Sequence, residues 1–317
     1  MPSDSAQLRD VLLACMPSVV IDGVAKESGQ RVVYYAHFDD SLIPDEILRD
    51  ETSHYLKGWS SWGRVVVKVV AGASLQALTR LQAEASLLTE LKSSQFPVLF
   101  YANYFAENPL TDEVLGEGLY VSVEEFVESV PLSAMMGKYV GAPSEVFRLA
   151  GSILCGLRPL WEQKRKLVHP DINPDNLLIT DSGNVVIIDF GIVRETGSQG
   201  VTKEGFGNAP GSWGYAAPEH IANDKDLVSF KTDFFSLGVV MYQLIAGHHP
   251  FIVRPNMDVM EIVDATERYF PPSLEELGLA TPVQSNLVRQ MMEKKPYLRP
   301  RSIDILAAEI KKLEEPV

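Results

Sequence analysis

Short runs of β-branched and aromatic residues dominate roughly the first 130 residues and predict strands over 31–38, 64–70, 98–105 and 119–126. Leucines between the second and third runs recur at steps of three and four residues, which predicts a helix over 74–91 with Ser74 as its N-cap. Segment 39–62 is polar and irregular in pattern, and we interpret it as an insertion between two strands.

The hydrophobic pattern then changes to a helical period, which predicts helices over 144–160, 231–246, 282–292 and 301–313. A strand-rich part followed by a helical part is typical of an α+β protein with two lobes. We expect a small lobe over 20–127, formed by an antiparallel sheet with one key helix, and a larger, mainly helical lobe over 128–317.

Residues 1–19 form an N-terminal extension. Its apolar residues predict a short amphipathic helix around Leu8, Val11, Leu12 and Leu13. We expect this helix to cap the small lobe, and binding of a partner is the alternative.

Composition narrows the class of protein. The 317 residues carry a net charge of −14, which gives no support to a nucleic-acid-binding surface. The most apolar stretch, 234–246, is too short to cross a bilayer, and no signal peptide is visible, so we expect a cytoplasmic protein without a membrane span. Cys15 and Cys155 lack metal-site spacing and are expected to be small buried side chains.

The strongest candidates for catalytic residues lie in segment 169–191, which reads HPDINPDNLLITDSGNVVIIDFG. Two apolar runs flank the turn signal at 181–183 and predict a hairpin. Asn176 precedes the first run and Asp189 follows the second, so the hairpin places both at the same end. Their oxygens suit Mg²⁺, and Asp171 is suited to accept a hydrogen bond from a hydroxyl group.

This segment resembles the catalytic loop and DFG motif of eukaryotic-type protein kinases. The resemblance implies a bilobal protein-kinase-like fold that binds ATP and Mg²⁺ between the lobes. It further implies that Asp171 is the catalytic base and that Asn176 and Asp189 are the metal ligands.

Other residues extend the resemblance towards the N-terminus. Lys68 ends a VVVK run, as the lysine that binds the ATP phosphates does in kinases. Glu84 lies on the apolar face of its predicted helix, where a carboxylate needs a cationic partner, and Lys68 is the natural candidate. The resemblance also gives a set of nucleotide-binding residues, formed by the hinge (Glu125, Phe126 and Val127) together with Val66 and Leu178. Glu124 then stands at the gatekeeper position, which is usually apolar.

The resemblance continues through the larger lobe. Residues 211–219 read GSWGYAAPE and are similar to the end of a kinase activation segment. Asp233 matches the aspartate that pins the catalytic loop, and Arg299 matches the arginine that pairs with Glu219. Ser212 occupies the place of the threonine that bonds the catalytic aspartate in serine/threonine kinases.

Three features depart from the family pattern. The glycine-rich loop is reduced to KESGQRVVY, in which Ser28 and Gly29 are the expected phosphate-loop residues and Gln30 and Arg31 are further donors. Pro170 replaces an arginine that reads activation-loop phosphate. Asn173 replaces a catalytic-loop lysine that contacts the γ-phosphate.

Together these features predict a divergent serine/threonine protein kinase that acts on a protein hydroxyl and is able to phosphorylate itself. Because Pro170 replaces the phosphate-reading arginine, we expect activity that does not depend on phosphorylation of Thr196, Ser198 or Thr202. Two alternatives stay open: a pseudokinase that binds nucleotide or a partner protein, and a kinase-fold transferase with a non-protein acceptor. The sequence does not determine the oligomeric state.

Overall fold

The computed structural model describes residues 5–28, 31–49, 55–91, 93–163, 167–169, 171–189, 194–195 and 210–315. The chain divides into two compact units. The first unit comprises Met1–Lys92 and Pro97–Val127, and the second comprises Ser93–Phe96 and Glu128–Val317.

The first unit is built on a five-stranded antiparallel sheet of order β1-β2-β3-β5-β4. Its strands are β1 (Val19–Ser28), β2 (Arg31–Phe38), β3 (Val65–Ala71), β4 (Leu99–Glu107) and β5 (Val114–Glu125). The four strands expected from the sequence are confirmed. β1 was missed because Asp22 and Gly23 interrupt its apolar pattern, at the point where the pairing with β2 shifts in register.

Alternation along the central strands separates two faces of this sheet. One face is apolar and fully buried, with Tyr34, Val67 and Val121 among its residues. Helix α1 (Ser5–Cys15) belongs to the same core through Leu8 and Leu12. The prediction that the N-terminal extension caps this unit is therefore confirmed.

The described residues of segment 39–62 are more ordered than their polar pattern indicated. It contains two short 3-10 helices, Asp40–Leu42 and Trp59–Trp62, with α2 (Asp45–Arg49) between them. The ring of Trp59 stacks on Trp62 at 4.7 Å and meets Phe38 edge-on at 5.2 Å. The described part of the insertion, 39–49 and 55–62, therefore adds an aromatic cluster to the core.

Helix α3 (Leu75–Glu90) confirms the helix expected over 74–91. Ser74 caps it, because its hydroxyl accepts a hydrogen bond from the Ala77 amide. The C-terminal half is held in the core by Leu87 and Leu88, and the Tyr120 hydroxyl of β5 donates to the Leu81 carbonyl at 3.1 Å.

The second unit is mainly helical. Its helices are α4 (Pro143–Trp161), α5 (Pro218–Ile221), α6 (Phe230–Ala246), α7 (Val259–Arg268), α8 (Pro282–Met291) and α9 (Ile303–Leu313). The short strands are β6 (Ser129–Pro131), β7 (Leu167–Val168), β8 (Leu177–Thr180), β9 (Val185–Ile187) and β10 (Arg194–Glu195). The four helices expected here are confirmed, whereas α7 was missed because its buried stripe is only Ile262 and Thr266.

Helix α6 forms the centre of the second unit and is buried on nearly every side. A reciprocal cap between Ser229 and Thr232 begins it, and Gly247 ends it in a left-handed conformation with φ of 77°. Within the described part of the chain, no helix is long and apolar enough to cross a membrane.

The two cysteines differ in their surroundings. Cys15 is buried as expected, and burial raises the pKa of its thiol to about 11. Cys155 is exposed, so the expectation that it is buried is wrong. It lies on α4 between two buried residues, Leu154 and Gly156, and the packing of the helix turns position 155 outwards.

Candidate active site

The residues expected at the active site fall into two groups, one within each unit. In the first unit, Lys68 lies in the middle of β3, paired with Val33 of β2 and Ser122 of β5. Its ammonium Nζ lies 2.7 Å from Glu124 Oε1 and 4.0 Å from Glu84 Oε1. The expected pairing of Lys68 with Glu84 is thus present at the limit of ion-pair distance, while Glu124 makes the closer contact.

The close contact with Glu124 was missed by sequence reasoning, which assigned this residue only as a gatekeeper. Glu124 is paired with Val66 in the ladder between β3 and β5, so it lies on the same face as Lys68, two residues along. The signal that predicts the contact is the register of that ladder, which the sequence alone does not supply.

A small cavity lies beside this ion pair. Its charged lining consists of Arg31, Lys68, Glu84 and Glu124. Tyr120 also lines it, and burial raises the pKa of its hydroxyl, with the carboxylates of Glu84 and Glu124 adding to the effect.

The expected hinge residues lie at the end of β5. The Glu125 carboxylate accepts a hydrogen bond from the Val98 amide at 3.1 Å, which anchors this end of the strand to the start of β4. The Phe126 ring lies under the guanidinium of Arg64 at 3.9 Å and meets Tyr35 edge-on at 5.5 Å.

The remaining nucleotide-binding positions expected in the first unit are only partly described. Val66 is half-buried on the same face of β3 as Lys68. Ser28 ends β1 opposite Arg31, but its side chain and Gly29 and Gln30 lie outside the described residues.

In the second unit, the hairpin expected over 177–187 is confirmed as β8 and β9, with Leu177 paired to Ile187. The Ile188 amide donates to the Asn176 carbonyl at 3.0 Å, so Asn176 and the residue before Asp189 are adjacent. Asp189 has a φ of 57°, a left-handed conformation that is uncommon for a residue other than glycine and typical of functional sites. The hairpin therefore brings the two expected metal ligands to one end, as their spacing indicated.

The Asp171 carboxylate is held at both oxygens by amide donors. Asn173 Nδ2 donates to Oδ1 at 2.8 Å, and Asn176 Nδ2 donates to Oδ2 at 3.0 Å. Asn173 Oδ1 accepts from the Asp175 amide at 2.9 Å, which determines that the amide nitrogen faces Asp171. Asn173 therefore orients the aspartate, a contact that its position in place of a lysine did not reveal.

The orientation of Asn176 bears on whether a metal ion fits at this end of the hairpin. Because the amide nitrogen of Asn176 is directed to Asp171, its amide oxygen is directed elsewhere and suits a hard cation such as Mg²⁺. Asp189 adds a carboxylate from the adjacent end of the hairpin. The donor set at this place fits a magnesium ion.

A buried aspartate of α6 anchors the segment that carries His169 and Asp171. Asp233 Oδ2 accepts hydrogen bonds from the His169 amide at 3.0 Å and from Trp161 Nε1 at 2.7 Å. Burial raises the pKa of Asp233 to about 8 and lowers the pKa of His169 to about 4. His169 Nδ1 in turn accepts from the Asp171 amide at 3.2 Å, so the expected pinning role of Asp233 is borne out.

A buried ion pair joins the end of segment 211–219 to the chain before α9. Arg299 donates to both carboxylate oxygens of Glu219, at 2.7 and 2.9 Å, and both residues are buried. Thr232 donates to the same carboxylate at 2.8 Å. The expected pair is confirmed.

The 3-10 helix Pro210–Tyr215 precedes this ion pair. The Ser236 hydroxyl of α6 donates to the Tyr215 carbonyl at 2.8 Å, and the Tyr215 hydroxyl donates to Gln243.

Leu178 is half-buried in β8, paired with Val186 and Pro131. The side chain of Ser212, and residues Pro170, Thr196, Ser198 and Thr202, lie outside the described residues.

The first unit is an antiparallel sheet that carries a lysine paired with glutamates, and the second is a helical unit that carries an anchored aspartate and a pair of metal-ligand candidates. Together they define a protein of the kinase fold. The family model described as the protein kinase domain matches residues 59–310. The chain therefore belongs to the protein kinase family.

Curated relatives are kinases from bacteria, plants and animals. Serine/threonine-protein kinase PknL of Mycobacterium tuberculosis is 29% identical over 176 residues, which is 56% of this chain and 40% of that protein. Mitogen-activated protein kinase kinase 1 of Arabidopsis thaliana is 28% identical over 203 residues, 62% of this chain and 55% of that protein. G protein-coupled receptor kinase 4 of Mus musculus is 38% identical over 109 residues, 34% of this chain and 17% of that protein. The match spans less than two thirds of each relative.

Proposed function

We propose that this chain is a serine/threonine protein kinase that uses ATP and Mg²⁺ to phosphorylate a hydroxyl group of a protein substrate. The observation that carries the proposal is the catalytic loop, in which Asn173 and Asn176 hold both carboxylate oxygens of Asp171. Membership of the protein kinase family and the likeness to serine/threonine kinases support the same conclusion.

Four residues of this chain have separate roles in phosphoryl transfer. Asp171 accepts a hydrogen bond from the substrate hydroxyl, orients it towards the γ-phosphate and takes up its proton. Lys68 binds phosphate oxygens through its ammonium group. Asn176 and Asp189 would hold Mg²⁺, which neutralises the negative charge that develops on the phosphate oxygens during transfer.

Intact-mass spectrometry of the purified protein with Mg-ATP and a peptide substrate library tests the proposal. We expect mass gains of about 80 Da per phosphate on protein or peptide, and phosphoserine or phosphothreonine after hydrolysis. Asp171→Ala and Asp189→Ala should abolish the gain, whereas Asp181→Ala, at an exposed position in the hairpin turn, should retain it. Nucleotide binding without transfer would support a pseudokinase instead, and transfer only to a small molecule would support the non-protein acceptor.

We also propose that activity does not require phosphorylation of the activation segment. The support is Pro170, which stands where related kinases carry the arginine that binds the activation-loop phosphate. Replacing Thr196, Ser198 and Thr202 together with alanine should leave kcat within about threefold of the wild-type value, a change below 1 kcal/mol in activation free energy. A loss of a hundredfold or more would contradict this proposal.

A further inference from the structure

Lys68 lies within reach of two buried carboxylates, whose positions are determined in different ways. Glu124 Oε1 lies at contact distance, 2.7 Å from the ammonium, whereas Glu84 Oε1 lies at 4.0 Å. Both glutamates are less than 10% exposed, so both carboxylates need a cation close by.

The backbone ladder determines the separation of Lys68 and Glu124. Lys68 is paired with Ser122, and Glu124 follows two residues along β5 on the same face of the sheet. Such diagonal neighbours on adjacent strands are about 7–8 Å apart at the backbone, a distance that a lysine and a glutamate span readily. Any state that keeps the sheet intact therefore keeps these two side chains within reach.

The separation of Lys68 and Glu84 depends instead on how α3 packs against the sheet. The C-terminal half of the helix is held by Leu87 and Leu88, while Leu75 at its N-terminal end is 82% exposed. A small displacement of α3 changes the distance to Glu84 and leaves the distance to Glu124 as it is.

Four charged side chains line the cavity beside the ion pair. Arg31 comes from β2, Lys68 from β3, Glu84 from α3 and Glu124 from β5. The two positive and two negative charges of these side chains sum to zero. The Tyr120 hydroxyl is a further titratable group that lines the cavity. Removing one carboxylate therefore changes the electrostatic potential at the ammonium, and the contact partner has the larger effect.

We propose that Glu124 is the positioning residue of Lys68 and takes the part that the helix glutamate, Glu84, plays in the family pattern. This inference rests on the proposed function in that Lys68 is taken to bind the nucleotide phosphates. In this arrangement a residue of the sheet orients Lys68, so the orientation of the lysine does not depend on the position of α3.

The pH dependence of lysine acylation in the nucleotide-free protein tests the pairing directly. Only the neutral amine reacts, and a carboxylate in contact stabilises the ammonium, so losing that carboxylate moves the midpoint of reaction to lower pH. Peptide mapping after brief acetic anhydride treatment should show the Lys68 midpoint about one pH unit lower in Glu124→Gln. Glu84→Gln should lower it by less than half as much.

Two further variants keep this experiment decisive. Ser122→Ala removes an uncharged neighbour from the same ladder and should leave the midpoint unchanged. Glu124→Met places at this position an apolar residue, which is usual there in the family, and should show the same shift. It takes the place of Glu124→Gln in the experiment if that variant fails to fold. A midpoint that moves more in Glu84→Gln than in both Glu124 variants would overturn the proposal, as would equal shifts.

Nucleotide affinity separates this inference from the proposed function. Titration with a fluorescent ADP analogue and Mg²⁺ should show a loss of about tenfold in Glu124→Gln and a smaller loss in Glu84→Gln, because Lys68 loses its orientation in the first variant. If the wild-type protein binds no nucleotide while the acylation midpoints follow the expected order, the proposed function fails and the pairing stands. If nucleotide binds equally well to all variants, Glu124 has no positioning role.

Discussion

The catalytic loop of the second unit and the lysine cavity of the first unit hold their functional groups by different means. Asp171 is bonded at both oxygens by neutral amides, and its loop is anchored through Asp233. Lys68 is held by an ion pair at the ends of two long side chains. The hydrogen bonds to Asp171 come from residues two and five positions along the same loop, so its position follows from the local motif. The partner of Lys68 depends instead on the register between two strands that are distant in sequence.

The largest effect in this comparison should come from the anchor behind the catalytic loop. Asp233→Ala leaves the buried donors of His169 and Trp161 without their acceptor. Each such loss costs about 1–3 kcal/mol, so we expect about 3 kcal/mol or more of lost stability in urea unfolding. The exposed Asp226→Ala is the matched control and should stay within about 0.5 kcal/mol of the wild-type protein. Equal stability of the two variants would contradict the anchoring role.

The next largest effect should come from the amide that bonds Asp171, the proposed catalytic base. Asn173→Ala removes one donor to Asp171, and we expect kcat to fall about tenfold with little change in KM for ATP. Asn173→Asp keeps the acceptor for the Asp175 amide but places a like charge beside Asp171, and we expect a loss of about a hundredfold. Steady-state kinetics separate the two, and a smaller loss in the aspartate variant would show that Asn173 acts mainly as a cap.

A third prediction concerns pH. Burial holds the pKa of His169 at about 4, below its ordinary value of 6.5, so the unfolded chain takes up a proton that the folded chain excludes. The contribution of neutral His169 to the free energy of unfolding is therefore fully present above pH 6.5. It is lost as the pH falls towards 4, at up to about 1.4 kcal/mol per pH unit. His169→Asn should lower the slope of unfolding free energy against pH over that range by this amount, whatever slope the buried Asp233 contributes. An unchanged slope would mean that another group accounts for it.

The smallest effect should distinguish a buried ion pair from an exposed one. Lys68 and Glu124 are only 12% and 5% exposed, so added salt screens their attraction weakly. Raising NaCl from 0.05 to 0.5 M should move the Lys68 acylation midpoint by less than about 0.3 pH units. A large shift would indicate that water and ions enter the cavity freely and would weaken the contrast with the catalytic loop.

The elements that the sequence predicted are those with a regular pattern in their own residues. The valines of β3 and the leucines of α3 are sufficient to place both elements, and the turn at 181–183 locates the hairpin that brings Asn176 near Asp189. Local pattern is informative there because burial alternates with the period of the element.

The features that the sequence did not predict depend on packing between distant segments. β1 has register shifts beside Gly23, which break its alternation. The polar segment 39–62 contributes Trp59 to the core because aromatic neighbours from other strands surround it. The contact of Lys68 with Glu124 needs the register of β3 and β5, which no single segment encodes.

The first unit also has a consequence for protein production. The family match begins at residue 59, whereas β1 and β2, which complete the sheet, and α1, which packs on it, all precede that point. A polypeptide started at Trp59 would leave β3 as an open edge and uncover the valine face that α1 covers. Exposed edges of this kind pair with other chains, so such a fragment should precipitate on expression, while a fragment that begins before Ser5 should remain in solution.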